Sequence, residues 1–201
     1  RTVAPCNYRA DTMTDELSEL RTRLAETEAE QPEVARLHTG EWAVLLGNGY
    51  DSANDAASMF IIDVADGSLV RELIVDSGEN TVNGLSGVRG ADNNGDGIAD
   101  YAYAGDLRGN LWRFDLSRSV SEEEADPFDT SVQGTVAAGS FGVSYGGQPL
   151  YSAKYPAAAD DLRIQSITAP PSLVRHPTRR GYLVIFGTGK FFETDDAAGD
   201  I

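Results

Sequence analysis

The sequence predicts a mainly β fold of the partial β-propeller kind, built from antiparallel blades, with one amphipathic helix at the N-terminus. Three observations carry that prediction. Short apolar runs are punctuated by glycine, and the 21 glycines favour turn-rich β structure over a helical bundle. An aromatic-x-x-Asp strand recurs, as Phe60-Ile61-Ile62-Asp63 and within Leu111-Trp112-Arg113-Phe114-Asp115. Strand ends also echo each other, Leu45-Leu46-Gly47-Asn48-Gly49 against Ile185-Phe186-Gly187-Thr188-Gly189. Propeller blades take about 40–45 residues and four strands each. The β region therefore holds about three, too few to close a ring.

Two regions follow from the pattern. Residues 1–33 are an N-terminal extension with a helix, and residues 34–201 are the propeller-like domain with an incomplete ring. In the extension, Met13, Leu17, Leu20 and Leu24 recur at helical spacing, Thr12 or Thr14 caps the start, and Glu19 and Arg23 form an i,i+4 pair. A surface helix packed on the β domain and a short partner-docking helix both fit this stripe. Cys6 is the single cysteine, so no disulfide forms within the chain. A bond to another chain and a free thiol both remain open.

The first hairpin joins Met59-Phe60-Ile61-Ile62-Asp63-Val64 to residues 69–75 through Ala65-Asp66-Gly67-Ser68. The second runs from Tyr101-Ala102-Tyr103-Ala104 through Gly105-Asp106-Leu107-Arg108-Gly109 into residues 110–116. The third is expected at residues 181–186, turning at 187–189 into Lys190-Phe191-Phe192. Residues 118–160 are weaker: an acidic loop at 121–129, then a small, glycine-rich excursion.

Between the first two hairpins lies Asp92-Asn93-Asn94-Gly95-Asp96-Gly97-Ile98-Ala99-Asp100. Oxygen-bearing side chains occupy positions 1, 3, 5 and 9 and a glycine sits at position 6, the pattern of an EF-hand-like calcium loop. Ca²⁺ takes six to eight hard oxygens at about 2.3–2.6 Å. Asp92, Asn94, Asp96, the Ile98 carbonyl and Asp100 are the expected ligands, while Gly97 permits the bend. An EF-hand carries glutamate at position 12; here that position is Tyr103, within the strand expected from Tyr101. The competing reading is a plain Asn94-Gly95 turn. It leaves the three alternating carboxylates unexplained.

Charge excludes some functions. The net charge of −16 opposes nucleic-acid binding, and only Lys154 and Lys190 among the 16 basic residues are lysines. No apolar run approaches the ~18 residues of a transmembrane segment. Starting at Arg1 without a leader, the chain reads as a processed product or a piece of something longer. His38 and His176 have no companions for a zinc site. Gly47-Asn48-Gly49 and Gly187-Thr188-Gly189 lack a Walker lysine-serine pair and a following helix, so they read as turns. Asp51, Asn54 and Asp55 lack alternating ligand positions and read as a loop rather than a second cation site. Arg175, Arg179 and Arg180 around His176 read as a solvated loop, with a small basic docking patch as the alternative.

Three segments resemble a known family, the C-terminal β-propeller of PilY-type proteins, which are type IV pilus biogenesis factors and pilus tip adhesins. They are Gly40-Glu41-Trp42-Ala43-Val44-Leu45-Leu46-Gly47-Asn48-Gly49-Tyr50, residues 92–116, and Phe186-Gly187-Thr188-Gly189-Lys190-Phe191. The resemblance spans roughly residues 34–117 and 164–195 and leaves the N-terminal 30 residues unmatched. It implies an extracellular, pilus-associated calcium module acting in pilus biogenesis and retraction control, twitching motility and surface adhesion. Its implied partners are pilins, minor pilins or other chains of a surface filament. The implied ligands are the same five residues, and Asp106 is a hairpin residue rather than a ligand. A calcium-stabilised fibre protomer, with self-association, is the alternative. The hairpins are also quinoprotein-like, but such enzymes resemble one another in a vicinal disulfide that one cysteine cannot form. No enzyme is expected.

Overall fold

The computed structural model describes residues 32–50, 55–75, 82–117, 136–158, 161–178 and 181–189. The expected helix at 12–30, Cys6, Asp51, Asn54, the acidic stretch 121–129, Arg179, Arg180 and the strand at 190–192 lie outside the described residues.

Two sheets are antiparallel meanders in sequence order, the arrangement of propeller blades. The first pairs β1 (Glu33–Arg36), β2 (Trp42–Gly47), β3 (Ala57–Asp63) and β4 (Leu69–Val75). The second pairs β5 (Arg89–Ala91), β6 (Tyr101–Gly105), β7 (Asn110–Asp115) and β8 (Gly142–Val143). Strand β9 (Tyr151–Ser152) also joins β7. The glycine-rich excursion thus supplies the last strands of the second blade, although its small residues carry almost no strand signal. A separate hairpin follows, β10 (Lys154–Ala158) with β11 (Asp161–Ile164).

The third unit has a strand that the sequence pattern does not announce. Strand β13 (Tyr182–Ile185) pairs with an upstream strand, β12 (Ser172–Arg175), which the sequence reading missed. Pro170 and Pro171 stand directly before β12 and Pro177 just after it, so its short apolar core reads as loop. The three units now align: β1, β5 and β12 each lead into β2, β6 and β13.

The sheets stack face to face. One apolar cluster joins Leu45, Met59 and Ile61 of the first sheet to Ala102, Ala104, Trp112 and Phe114 of the second. A second cluster joins the opposite face, Ala91, Tyr101 and Tyr103, to Leu173, Tyr182 and Val184 of the β12–β13 pair. Strands β6 and β7 are buried along their whole length, which explains why neither alternates apolar with polar residues. Small residues oppose large ones across the pair, Ala102 against Phe114 and Ala104 against Trp112. That match fills the layer without crowding.

Buried wedges lock neighbouring units together. Leu85 is wholly buried; its N–H donates to Asn48 Oδ1 and its carbonyl accepts from Gly49. It also bridges to Asp106 of the second blade. Ile167 repeats the arrangement one unit on, donating to the Asp106 carbonyl and bridging to Gly189. The strand-end glycines leave room for these wedges. A Cβ on Gly47 would stand 2.2 Å from the Ser86 carbonyl oxygen, and one on Gly105 2.2 Å from Ile167 Cγ2.

Asp106, wholly buried, anchors this end of the second blade. Its Oδ1 accepts the Asn110 N–H, and its Oδ2 accepts from Asn110 Nδ2, Asn83 Nδ2 and Trp112 Nε1. Replacing it with alanine strands several buried donors, each costing about 1–3 kcal/mol. Asp106→Ala is therefore expected to lose roughly 3 kcal/mol or more of stability. Urea denaturation checks this; a midpoint unchanged from wild type would remove Asp106 from this role.

Candidate calcium loop

The loop at residues 92–100 connects β5 to β6, so both its ends are fixed by the second sheet. Backbone pairing enforces this: the Asp100 N–H donates to the Ala91 carbonyl, and the Asp100 carbonyl accepts from Leu116. Gly95 and Gly97 have φ of 88° and 82°, the left-handed conformations that tighten the turn.

Within the loop the side chains wrap around backbone amides. Asp92 Oδ1 accepts from Gly95 at 2.6 Å and Asp96 at 3.2 Å, and its Oδ2 accepts from Gly97 at 2.7 Å. Asn94 Oδ1 accepts the Asp96 N–H, while Asn94 Nδ2 donates to Asp96 Oδ2. Asp96 Oδ1 accepts from Ile98 at 2.8 Å. Asp100 Oδ2 accepts from Asn93 at 2.6 Å, joining the last position of the loop to its second. All five expected ligands thus belong to one small ring of chain. Asn94 and Asp96 are exposed, Asp92 and Ile98 half-buried and Asp100 fully buried.

Among the described residues, no three His, Cys, Asp or Glu side chains gather into a metal-holding group. The carboxylates lie instead against the loop amides, with Asp100 turned toward the first sheet. A carboxylate has about four lone-pair sites. The bonds above take three at Asp92 and two at Asp96, and leave Asn94 Oδ1 with one of its two.

Side chains from both neighbouring units reach the loop, and sequence reasoning missed all of them. His38, in the turn after β1, places Nε2 2.8 Å from Asp100 Oδ1. Arg175 of β12 and Tyr182 of β13 both donate to the Asp92 carbonyl, at 2.8 and 2.6 Å. Arg175 is therefore an exposed strand residue tied to the loop at 92–100 rather than a loop residue itself. Nothing in linear spacing joins positions 38, 92, 100 and 175. Only the stacking of the sheets does.

Beneath the loop, Arg113 of β7 lies between two rings, 4.5 Å from the centre of Tyr101 and 4.2 Å from that of Tyr145. Its Nε donates to Ser144 Oγ. Tyr145 is held with φ of 57°, an uncommon conformation for a non-glycine residue. Burial pushes the Tyr103 phenol up to about 12, with Arg113 pulling the other way. Burial also raises Tyr182, against the opposing pull of Arg175 and with the help of Asp92 and Asp100.

Three glycine-ended, face-stacked antiparallel units define a segment of a β-propeller. The chain belongs to the PilY1 beta-propeller domain family, which matches residues 14–201 and so takes in part of the N-terminal extension. The type IV pilus biogenesis factor PilY1 of Pseudomonas aeruginosa (strain PAO1) is 58% identical over 170 residues, covering 85% of this chain and 14% of that protein. A PilY1 homolog of Xylella fastidiosa is 30% identical over 175 residues, covering 83% and 11%. The crystal structure of the Pseudomonas aeruginosa PilY1 C-terminal domain superposes with a TM-score of 0.71 at 57% identity, covering 85% of this chain and 34% of that one. The chain thus spans a small part of the curated relatives it matches. No described helix is long and apolar enough to cross a membrane.

The Tyr103 shift has a pH consequence. A tyrosine of unperturbed pKa 10.0 that holds its proton to about 12 when folded favours the folded state only while protonated. Stability should be intact below pH 10 and fall as the pH rises toward 12, as the unfolded phenol ionises first. Tyr103→Phe should flatten that fall and remove a component near pH 12 from the tyrosinate absorbance titration. An unchanged titration would assign the shift elsewhere.

Proposed function

We propose that this chain is the calcium-binding part of an extracellular, pilus-associated protein that acts in pilus biogenesis and retraction control, twitching motility and surface adhesion. The supporting observation is the closed ring of residues 92–100, seated where three propeller units meet. Its donors are all hard oxygens, as Ca²⁺ requires. The lone pairs left at Asp92, Asn94, Asp96 and Asp100, with the Ile98 carbonyl, are the donors that would hold the ion. Membership of the PilY1 family supports the pilus setting, and pilins or minor pilins are the partners this setting implies.

The module binds rather than catalyses. When bound, the ion neutralises carboxylates that repel one another and stabilises the loop conformation. A ligand that binds only the folded loop adds about 2–3 kcal/mol at a hundredfold excess over its Kd. Weak, millimolar sites of this kind suit an extracellular module.

Calorimetric titration of the 201-residue chain should show one Ca²⁺ site of micromolar to millimolar affinity. Asp96→Ala is the informative variant, because Asp96 is exposed and its loss leaves the core intact. It should weaken binding at least about tenfold. Equal binding by wild type and Asp96→Ala would move the site away from this loop.

A second reading is a calcium-stabilised fibre protomer. It is favoured by the outer face of the first sheet, where Val34, Trp42, Leu69 and Ile74 are all more than half exposed. Light scattering with and without EDTA separates the two: a mass that grows with calcium supports the fibre, and a constant monomer mass removes it.

A further inference from the structure

We propose that His38 is the positioning residue of the calcium loop, through which the first propeller unit sets the affinity of a site in the second. This rests on the calcium reading above and adds to it a residue outside the ligand set.

Asp100 is the one expected ligand with no exposed surface. Its side chain is aimed by two donors from different directions. The Asn93 N–H holds Oδ2 from within the loop, and His38 Nε2 holds Oδ1 from the first sheet. The carboxylate is acceptor-only, so Nε2 carries the proton in this contact. His38 is itself well fixed. It is buried, and its turn is closed by Leu37 N–H to the Glu41 carbonyl and Gly40 N–H to the Leu37 carbonyl. The His38 carbonyl accepts from Val136. The Ala99 N–H donates to the Arg36 carbonyl, so the chain just before Asp100 is tied to the chain just before His38. The imidazole therefore reaches Asp100 from a rigid platform rather than from a mobile side chain.

The consequence for a cation is geometric. Asp92, Asn94 and Asp96 are on the exposed side of the loop and orient through local amides. Asp100 must approach from beneath, and without His38 its Oδ1 is free to rotate toward other partners or water. Hydrogen bonds that orient metal ligands typically account for about 10- to 100-fold in metal affinity. The contacts of Arg175 and Tyr182 are different in kind, because they hold a backbone carbonyl and leave the ligand carboxylates untouched.

The test compares His38→Gln, His38→Asn and His38→Ala with Asp96→Ala, by Ca²⁺ calorimetry and Tb³⁺ luminescence on the 201-residue chain. Urea denaturation in EDTA records stability without metal. A glutamine amide nitrogen reaches as far as imidazole Nε2, and an asparagine amide falls short. His38→Gln should stay within about threefold of wild-type affinity, whereas His38→Asn and His38→Ala should lose about tenfold or more. If His38→Ala does not fold, the Gln and Asn variants alone decide. Asn or Ala binding within about twofold of wild type, while Asp96→Ala is weakened, overturns the role of His38 and leaves the calcium reading standing. Wild type that binds no Ca²⁺, or binds no better than Asp96→Ala, overturns both. Lower stability in EDTA with unchanged affinity assigns His38 a purely structural contact and also overturns the proposal.

Discussion

The buried carboxylate of Asp106 is the interaction on which the stacking of units depends. It stands in a low-dielectric interior with four donors around it, from Asn83, from Asn110 twice, and from Trp112. Burying a carboxylate is costly unless such bonds replace its water. Here the replacement also does structural work. Its backbone receives Ile167 from one inter-unit segment and bridges Leu85 of the other. A single residue thus specifies the β6–β7 turn, seats the Trp112 ring in the core and sets the spacing to both neighbours. An apolar residue could fill the volume but could not define those directions.

Asn48 is the counterpart in the first unit. Its Oδ1 accepts from Ser58 and Leu85, and its Nδ2 donates to the Ala56 carbonyl. An amide suffices there, where an anion is needed in the second blade to meet an indole and three amide N–H groups. This is why Gly47-Asn48-Gly49 imitates a phosphate loop on paper. Gly47 is required by the Ser86 and Leu85 carbonyl oxygens, which a Cβ there would meet at 2.2 and 2.5 Å, and Asn48 after it ties the turn.

Much of this was legible in the sequence because its causes are local. Hairpins announce themselves through apolar runs and turn residues, so β3–β4 and β6–β7 were readable, as was the repeated strand end. The loop at residues 92–100 was readable because Asp and Asn at alternate positions are local, and their side-chain oxygens accept from nearby amides. Where the cause lies elsewhere in the chain, the sequence is silent. Strand β12 is framed by prolines and becomes a strand only because β13 and the Tyr101–Tyr103 face are there to receive it. The two residues of β8 are strand only through pairing with Phe114 and Asp115. His38 looked solitary for the same reason: its partner is 62 positions away.

The two ends of β6 make different demands. At one end Asp106 is satisfied entirely by the protein, so that junction is permanent. At the other end the loop gathers acidic groups that the protein satisfies only in part, and it is held by three side chains from two neighbouring units. Asp100 and Asp106 are separated by six residues of nearly extended chain, about 20 Å at the ~3.3 Å rise of a strand. Strain at the loop would be carried along a strand buried on both faces, which has no slack to absorb it. A neighbour that shifts relative to the second sheet must therefore break a contact with His38 on one side, or with Arg175 and Tyr182 on the other. A cation in the loop would act on those interfaces rather than on the core, because the core is already closed by Asp106.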